Sequence, residues 1–290
     1  MSTPLSVSFE FFPPRNDDME RTLWESVERL APLAPRFVSV TYGAGGTTRE
    51  RTHATVTRLV AETALQPAAH LTCVAATRAD IDAIVEEYWS AGVRHIVALR
   101  GDALAGPGAT YEPHPGGYAY THDLVEAITR RGGFEVSVSA YPERHPDSPD
   151  WDTEIALLKA KRDAGATRAI TQFFFENDLY FQYVERVRKA GIDIPIVPGI
   201  LPVQNFAQVA NFAKRCGSSV PEKLARRFEG LDGDQQTRAL VAAAVCAEQV
   251  EDLRARGVSE FHFYTMNRAN LVYAICHLLG LRPQHLQKAA

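Results

Sequence analysis

Cysteine is scarce in this sequence, and the spacing of the few that occur excludes two common roles. Four cysteines are found in 290 residues, and no two of them form a C-x-x-C pair. A zinc knuckle or a disulfide framework requires closely spaced or paired cysteines. We therefore interpret Cys73, Cys216, Cys246 and Cys276 as buried thiols of a protein in a reducing compartment.

Basic tracts and long apolar runs are also missing. The 31 basic and 35 acidic residues give a formal net charge of -4, so we expect neither nucleic acid nor an anionic membrane as a partner. No apolar run reaches the length of a membrane span, and the first residues do not have the pattern of a secretory signal. The expectation is a cytoplasmic protein with no membrane association.

Three site motifs are absent, which narrows the chemistry. No G-x-G-x-x-G follows a predicted strand and no G-x-x-x-x-G-K-[ST] occurs, so a Rossmann-type dinucleotide site and a P-loop are both excluded. A metal-dependent barrel hydrolase stays open as an alternative, since His70, His145, His262 and Asp102 are available ligands. It is not favoured, because no strand carries an H-x-H pair; we expect no metal.

What the sequence does contain is a regular succession of strand and helix patterns. Residues 17–30 and 80–91 are examples of stretches with one apolar stripe at helical spacing. Between such stretches lie short β-rich runs, and there are eight of them. The predicted strands are residues 5–12, 37–43, 68–74, 95–101, 134–141, 168–174, 195–200 and 261–265.

A glycine recurs at four helix ends, just before the next strand. Gly92, Gly165, Gly191 and Gly257 each stand where a left-handed residue closes a helix, which indicates one βα unit used repeatedly. Several strands alternate apolar with polar residues, whereas the central strands of an open doubly wound sheet are apolar on both faces. We predict a (β/α)8 TIM barrel with an extra helical segment before the last strand, in residues 201–260, and a single catalytic domain over 1–290.

Polar residues gather at the predicted carboxyl ends of the strands, where barrel enzymes place their sites. They are Glu10, Thr41, Tyr42, His70, Arg100, Asp102, Tyr141, His145, Gln172 and Tyr264. Each has a plainer explanation taken singly: Glu10 as a solvated strand residue, His70 as a core histidine, and Arg100 with Asp102 as a structural ion pair. Their convergence favours one functional site.

Six motifs in order along the chain carry a resemblance to a known family. They are SFEFFPPR at 8–15, FVSVTYGA at 37–44, HLTC at 70–73, RHIVALRGD at 94–102, TQFFF at 171–175 and FHFYTMNR at 261–268. Together they resemble the bacterial, FAD-dependent type of methylenetetrahydrofolate reductase. The resemblance implies that NADH or NADPH reduces bound FAD, leaves, and is replaced by 5,10-methylenetetrahydrofolate, which is reduced to 5-methyltetrahydrofolate for methionine synthesis. It also implies a homo-oligomer.

The same resemblance implies a role for each matched residue. Glu10 corresponds to a general acid that protonates the folate N10, and Asp102 to a carboxylate between flavin and folate. The implied cofactor contacts are Thr41, Tyr42, Ala44, His70, Arg100, Gly101, Asp102, Thr121, Tyr141, His145 and Lys161, with Thr41 near NADH. The implied substrate contacts are Gln172, Gln208, Phe212, Tyr264 and Arg268. A flavin- or folate-binding barrel without turnover is a further alternative, disfavoured because both carboxylates are present.

Overall fold

A computed structural model describes residues 4–43, 48–103 and 109–284 of the chain. Nine strands lie within these residues, and all of them pair in parallel in one sheet. They are β1 (Ser6–Phe11), β2 (Val38–Val40), β3 (Pro67–Thr72), β4 (His95–Leu99), β5 (Glu135–Ala140), β6 (Arg168–Thr171), β7 (Ile196–Val197), β8 (Gly199–Ile200) and β9 (Glu260–Tyr264).

The seventh predicted strand is divided in two, and this division closes the barrel. The pairing order runs from β7 through β6 down to β1, then to β9 and β8. β7 pairs with β6 and β8 pairs with β9, while Pro198 alone separates β7 from β8. A proline has no N–H to give to a ladder, so the strand changes partner at this residue. The predicted (β/α)8 barrel is confirmed, with its seventh strand in two pieces.

Helices join the strands, and several of them begin with a capping side chain or end just before a glycine. Thr77 and Asp80 form a capping box at the start of α3, and Asn16 accepts a hydrogen bond from Met19 at the start of α1. The helices are α1 (Asp17–Leu30), α2 (Arg49–Glu62), α3 (Arg78–Ser90), α4 (Thr121–Arg131), α5 (Trp151–Asp163), α6 (Asn177–Lys189), α7 (Phe206–Cys216), α8 (Glu222–Phe228), α9 (Gln235–Ala255) and α10 (Ala269–Leu278).

The four recurring glycines have the conformation that the repeat predicts. Gly92, Gly165, Gly191 and Gly257 have φ angles of 88°, 114°, 73° and 100°, a region that side chains larger than hydrogen disfavour. The predicted insertion before the last strand is also present, as α7, α8 and α9 all lie between β8 and β9. α7 and α8 pack on Phe173 and Leu201, and so cover one side of the barrel mouth.

The alternation along β1 separates the core from the barrel interior. Val7, Phe9 and Phe11 belong to the main apolar core between strands and helices and are almost completely buried. Deeper in the barrel, Arg168 is 2% exposed and pairs with Glu135 and Glu260, with 3.1 Å from its Nε to Glu260 Oε1. This ion cluster, centred on the buried Arg168, lies at the amino ends of β5, β6 and β9, opposite the site.

In the described part of the chain, no helix combines the length and the apolar character needed to cross a membrane.

Candidate active site

A cavity opens where the carboxyl ends of the strands meet. Its volume is about 710 Å³, and Val97, Leu99, Val138, Ile170 and Leu201 give it apolar walls. Eight of the predicted site residues line it. They are Glu10, Thr41, Tyr42, His70, Tyr141, Gln172, Phe212 and Tyr264.

Glu10 lies at the bottom of this cavity with imidazoles on two sides. Glu10 is the residue before the last in β1, and the alternation of side chains along this strand directs it away from the core occupied by Phe9 and Phe11. Oε2 of Glu10 lies 3.4 Å from Nε2 of His70 and 3.7 Å from Nε2 of His262. Glu10 is 9% exposed, so the plainer interpretation of a solvated strand glutamate is wrong.

The two imidazoles differ in what fixes them. Nδ1 of His262 lies 2.8 Å from the hydroxyl of Ser8, within hydrogen-bond distance, and the ring stacks on Phe37. Burial lowers the pKa of His70, and the negative charge of Glu10 opposes this shift without cancelling it. The site therefore combines a carboxyl group with a neutral imidazole at neutral pH.

An aromatic wall lines the cavity, and one of its rings, that of Tyr264, stands edge-on to His262 with 5.5 Å between ring centroids. The Tyr264 hydroxyl donates a hydrogen bond to the carbonyl of Thr171 at 2.7 Å, which holds its ring between β6 and β9. Phe212, from α7, stacks on Phe173 with 5.2 Å between ring centroids. Flat aromatic surfaces of this kind suit a planar heterocyclic ligand.

Gln172 lies at the end of β6 in the same wall. Its backbone N–H donates to the carbonyl of Ala140 at 2.8 Å, and its side-chain oxygen accepts from the N–H of Phe173 at 3.0 Å. The side-chain amide nitrogen is left to face the cavity that Gln172 lines.

A second cavity, of about 500 Å³, continues from the first. The two share Tyr42, Leu99, Ser139 and Tyr141 in their walls. The second cavity contains most of the other predicted cofactor contacts: Arg100, Gly101, Asp102, Thr121, His145 and Lys161. The strand ends thus form one elongated site with an apolar, aromatic part and a polar part.

Lys161 supplies a buried positive charge to the polar part. Its Nζ donates to the carbonyl of Ser139 at 2.9 Å. Burial lowers the pKa of Lys161 to about 8, against the opposing effect of the Glu154 carboxylate. The group is therefore mostly cationic at pH 7 and suited to a phosphate.

Arg100 forms its ion pair with Asp147 rather than with Asp102. Its Nη2 lies 2.7 Å from Oδ2 of Asp147, and its guanidinium also stacks over the ring of Tyr111. The structural ion pair considered for Arg100 and Asp102 is therefore wrong. Asp102 is exposed on the rim of the second cavity, after Gly101 with its φ of 89°.

His145 is held by the turn that follows β5. Its ring Nδ1 accepts from the backbone N–H of Asp147 at 3.0 Å, and its backbone N–H donates to the Glu154 carboxylate at 3.1 Å. The Ser148 hydroxyl donates to the same Glu154 oxygen at 2.7 Å. Burial lowers the pKa of His145, which favours a neutral ring. This ring stands edge-on to Tyr141 in the cavity wall.

Two predicted site residues lie elsewhere, and a third is not among the described residues. Gln208 is exposed in the first turn of α7, and Arg268 lines a third cavity of about 660 Å³ beside the first, which shares Thr22 and Asn267 with it. Ala44 lies outside the described residues. Their roles stay predictions.

Sequence reasoning missed several residues of the site. Ser139 joins both cavities and holds Lys161, Glu154 fixes the turn at His145, and Asn267 lines two cavities. A signal existed for Ser139, because it lies on the polar face of a predicted strand. Glu154 and Asn267 act through contacts that spacing along the chain does not reveal.

All four cysteines are free; Cys73, Cys246 and Cys276 are buried, whereas Cys216 is half-buried. Among residues 4–43, 48–103 and 109–284, no three His, Cys, Asp or Glu side chains are grouped so that they could hold a metal ion.

The fold and the site define an α/β barrel enzyme with a buried carboxyl group at the carboxyl ends of its strands. The sequence profile of the family named Methylenetetrahydrofolate reductase matches residues 2–280. The chain belongs to this family. It is 49% identical over 281 residues to the 5,10-methylenetetrahydrofolate reductase of Pectobacterium carotovorum subsp. carotovorum, covering 96% of this chain and 91% of that protein.

Two more similarities concern the sequence and the fold, respectively. The 5,10-methylenetetrahydrofolate reductase of Escherichia coli strain K12 is 48% identical over 279 residues, with 96% of this chain and 92% of that protein covered. An uncharacterised Clostridium thermocellum protein that binds two copies of 5-methyl-5,6,7,8-tetrahydrofolic acid has a similar fold, with a TM-score of 0.62 and 13% identity over 95% of this chain and 93% of that one. At that identity the likeness concerns the fold alone.

Proposed function

We propose that the protein reduces 5,10-methylenetetrahydrofolate to 5-methyltetrahydrofolate, with NADH or NADPH as reductant and FAD as resident cofactor. The two half-reactions follow a ping-pong order in one site, and the product serves methionine synthesis. We also propose the cytoplasm as its location and a homo-oligomer as its assembly. Family membership supports the reaction, and the site supports its chemistry.

The observation that carries the proposal is the environment of Glu10. Its carboxyl group lies in a cavity with apolar walls, on the strand next to that of Tyr264, and beside two imidazoles. The substrate carries its one-carbon unit in a ring between two nitrogens, and that carbon accepts a hydride poorly until one nitrogen leaves. A positioned acid that protonates the leaving nitrogen, N10, contributes about 10² to 10⁴ in rate. The surroundings of Glu10 support its assignment as this acid.

The residues present fit an FAD in the elongated site. The Thr72 hydroxyl and Nε2 of His70 are buried without a hydrogen-bond partner among the described residues, and the two residues line the elongated site. Lys161 and Arg100 bring positive charge where the cofactor's phosphates need it. Bound FAD supplies a ring that accepts a hydride from the nicotinamide and delivers it to the folate.

The matched cofactor contacts divide between the two cavities. Tyr42, His70 and Tyr141 would border the ring system, whereas Gly101, Thr121, His145 and Lys161 lie in the polar cavity suited to the rest of the molecule. We keep Ala44 as a further proposed contact.

The proposed substrate contacts surround the aromatic wall. Gln172, Phe212 and Tyr264 would bind and orient the pterin or the nicotinamide in turn, with Thr41 near the nicotinamide. Asp102 would hydrogen-bond the pterin from the rim. Gln208 and Arg268, outside the main cavity, are suited to the part of the folate that projects from it, since a guanidinium binds a carboxylate in bidentate fashion.

The visible spectrum of the purified protein, followed by two anaerobic additions, tests the proposal. A flavin spectrum should be present, NADH or NADPH should bleach it, and 5,10-methylenetetrahydrofolate should restore it with formation of 5-methyltetrahydrofolate. A flavin that neither nicotinamide reduces would favour the binding barrel without turnover. A colourless protein with stoichiometric zinc would favour the metal-dependent hydrolase, and either result would contradict the proposal.

A further inference from the structure

Where β1 ends, the side-chain amide of Asn267 makes the hydrogen bonds that a neighbouring strand would make. Its Oδ1 accepts a hydrogen bond from the backbone N–H of Phe12 at 2.9 Å, and its Nδ2 donates to the carbonyl of Phe12 at 2.9 Å. The paired ladder between β1 and β9 ends one step earlier, at Glu10 and Tyr264. Pro13 and Pro14 follow Phe12, so the ladder cannot continue through their backbone. The asparagine amide thus holds the residue two positions after Glu10 as a neighbouring peptide would.

A second pair of contacts holds Glu10 itself from the same turn. The Thr265 hydroxyl donates to the carbonyl of Glu10 at 2.5 Å, and the N–H of Thr265 donates to the same oxygen at 3.3 Å. The N–H of Asn267 in turn donates to the Thr265 hydroxyl at 3.1 Å. The backbone on the carboxyl side of Glu10, from its own carbonyl to that of Phe12, is therefore bonded to residues 265 and 267.

This turn has an unusual backbone conformation. Met266 and Asn267 both have a φ of 53°, in the left-handed region. Asparagine tolerates this region better than other residues with a side chain, whereas methionine does not favour it. Such residues persist when surrounding contacts determine their conformation, and they cluster at functional sites. Here the Ser26 hydroxyl adds one more contact, donating to the carbonyl of Asn267 at 3.0 Å.

Asn267 is also buried at the boundary of the site. It is 8% exposed and lines both the main cavity and the third cavity next to it. Its two amide hydrogen bonds to Phe12 use the side-chain atoms that would otherwise face a ligand. The contacts point to a role through β1.

We propose that Asn267 is the positioning residue for Glu10, setting the direction of the acid by clamping the end of β1. The inference rests on the proposed function, because it assigns Asn267 to the step in which Glu10 gives up its proton. A displacement of about 1 Å in a catalytic group costs about 10²-fold in rate. Loss of the clamp should therefore slow that step and leave reduction of the flavin by the nicotinamide unchanged.

The test uses Asn267→Gly, which adopts the left-handed conformation without strain and removes both side-chain bonds. Stopped-flow absorbance measures the two half-reactions of the FAD-loaded protein separately. We expect the folate half-reaction to slow by about tenfold or more, and the NADH half-reaction to change by less than about twofold. Gln182→Ala, at an exposed amide of α6 that lines none of the three cavities, is the matched control and should change neither.

The same substitution in a Glu10→Gln background separates positioning from a general structural role. If Asn267 acts through the acid, removing its side chain where the acid is already absent should slow the folate half-reaction by less than about twofold further. Losses that multiply, or equal losses in both half-reactions, would overturn the inference. Should Asn267→Gly not fold, Asn267→Asp, which keeps the acceptor for the Phe12 N–H, replaces it in the same cycle.

The wild-type protein is measured first. If it does not pass reducing equivalents to 5,10-methylenetetrahydrofolate, the proposed function fails and the inference fails with it. If the wild-type protein is active and the losses caused by Asn267→Gly and Glu10→Gln multiply, only the role of Asn267 is overturned.

Discussion

Oε2 of Glu10 lies 3.4 Å from Nε2 of His70, and both side chains are buried in the barrel. Burial lowers the pKa of His70 more than the carboxylate of Glu10 raises it. The imidazole beside the carboxyl group is thus neutral near pH 7, so it does not provide a full counter-charge. The Glu10 carboxyl group therefore has no cationic imidazole on its His70 side.

Replacing Glu10 with glutamine should separate the two half-reactions. The amide has nearly the same shape but no acidic proton, so we expect the folate half-reaction to slow by about 10² to 10⁴. Reduction of the flavin by NADH needs no proton from this residue and should be nearly unchanged. Stopped-flow absorbance checks both steps, with Glu251→Gln on the exposed face of α9 as control. A variant with full folate activity would remove Glu10 from the role of acid.

The charge of Lys161 should appear in the affinity for FAD. Burial lowers the pKa of Lys161 to about 8, so its positive charge decreases as the pH rises from 7 to 9. We expect FAD binding to weaken over this interval. Lys161→Met should bind FAD about tenfold more weakly, the contribution of a hydrogen bond to a charged group, and should show a smaller pH dependence.

Fluorescence quenching of the flavin measures this affinity. Riboflavin, which has no phosphate, should bind the wild type and Lys161→Met equally. Lys159→Met is the matched control, because that lysine is exposed and pairs with Asp163 at 2.6 Å. Equal losses for FAD and riboflavin would show that Lys161 does not contact a phosphate.

The buried histidine His95 should make the fold sensitive to acid. Burial lowers its pKa from 6.5 to about 3, while Glu135 opposes and Arg168, His262 and His70 add to the shift. The unfolded chain takes up a proton near pH 6.5 and the folded chain does not, so stability falls as the pH falls below that value. The loss is about 2 kcal/mol at pH 5.

Chemical denaturation at pH 7.5 and pH 5, at one saturating FAD concentration, tests this prediction. His95→Gln can keep a hydrogen bond to Ser137, now 2.8 Å from the imidazole, and lacks a titrating group. The change in its free energy of unfolding between the two pH values should be smaller than that of the wild type, and the difference between the two changes should be about 2 kcal/mol. An equal change in both proteins would refute the assignment.

Gly199 leaves room for the ring of Tyr264. A Cβ at residue 199 would lie 2.2 Å from the carbonyl oxygen of Thr171 and 2.6 Å from Cε2 of Tyr264. Gly199→Ala must therefore displace the ring that bonds to Thr171, and should destabilise the protein by about 1 to 3 kcal/mol and weaken folate binding. Gly233→Ala, with open space around it, is the control in the same denaturation and KM measurements. Equal stability of the two variants would contradict this steric account.

The barrel was predictable because its determinants are local. Alternation along residues 5–12 turns Glu10 inward, and Gly92, Gly165, Gly191 and Gly257 mark helix ends, so both signals lie within a few neighbouring positions. The break in the seventh strand at Pro198 was not predicted, although proline is its cause. The change of partner depends on strands that are far away in sequence.

The site was predictable only in part, for a related reason. Residues at strand ends converge because the barrel brings those ends together, which placed His70, Tyr141 and Gln172 around one cavity. The ion pair of Arg100 with Asp147, the bond of Ser8 to His262 and the clamp of Asn267 on Phe12 involve partners separated by 47, 254 and 255 residues. Such pairs are a result of packing that no local pattern encodes.

The pairing of β1 with β9 has a consequence for how the protein is made. Glu10 and the turn that holds its strand are about 255 residues apart, and ribosomes add roughly 5 to 20 residues per second. The acid therefore leaves the ribosome roughly 15 to 50 s before its supports. During that time β1 has no partner on the β9 side, so the nascent chain must protect an unpaired strand edge until synthesis reaches the last strand.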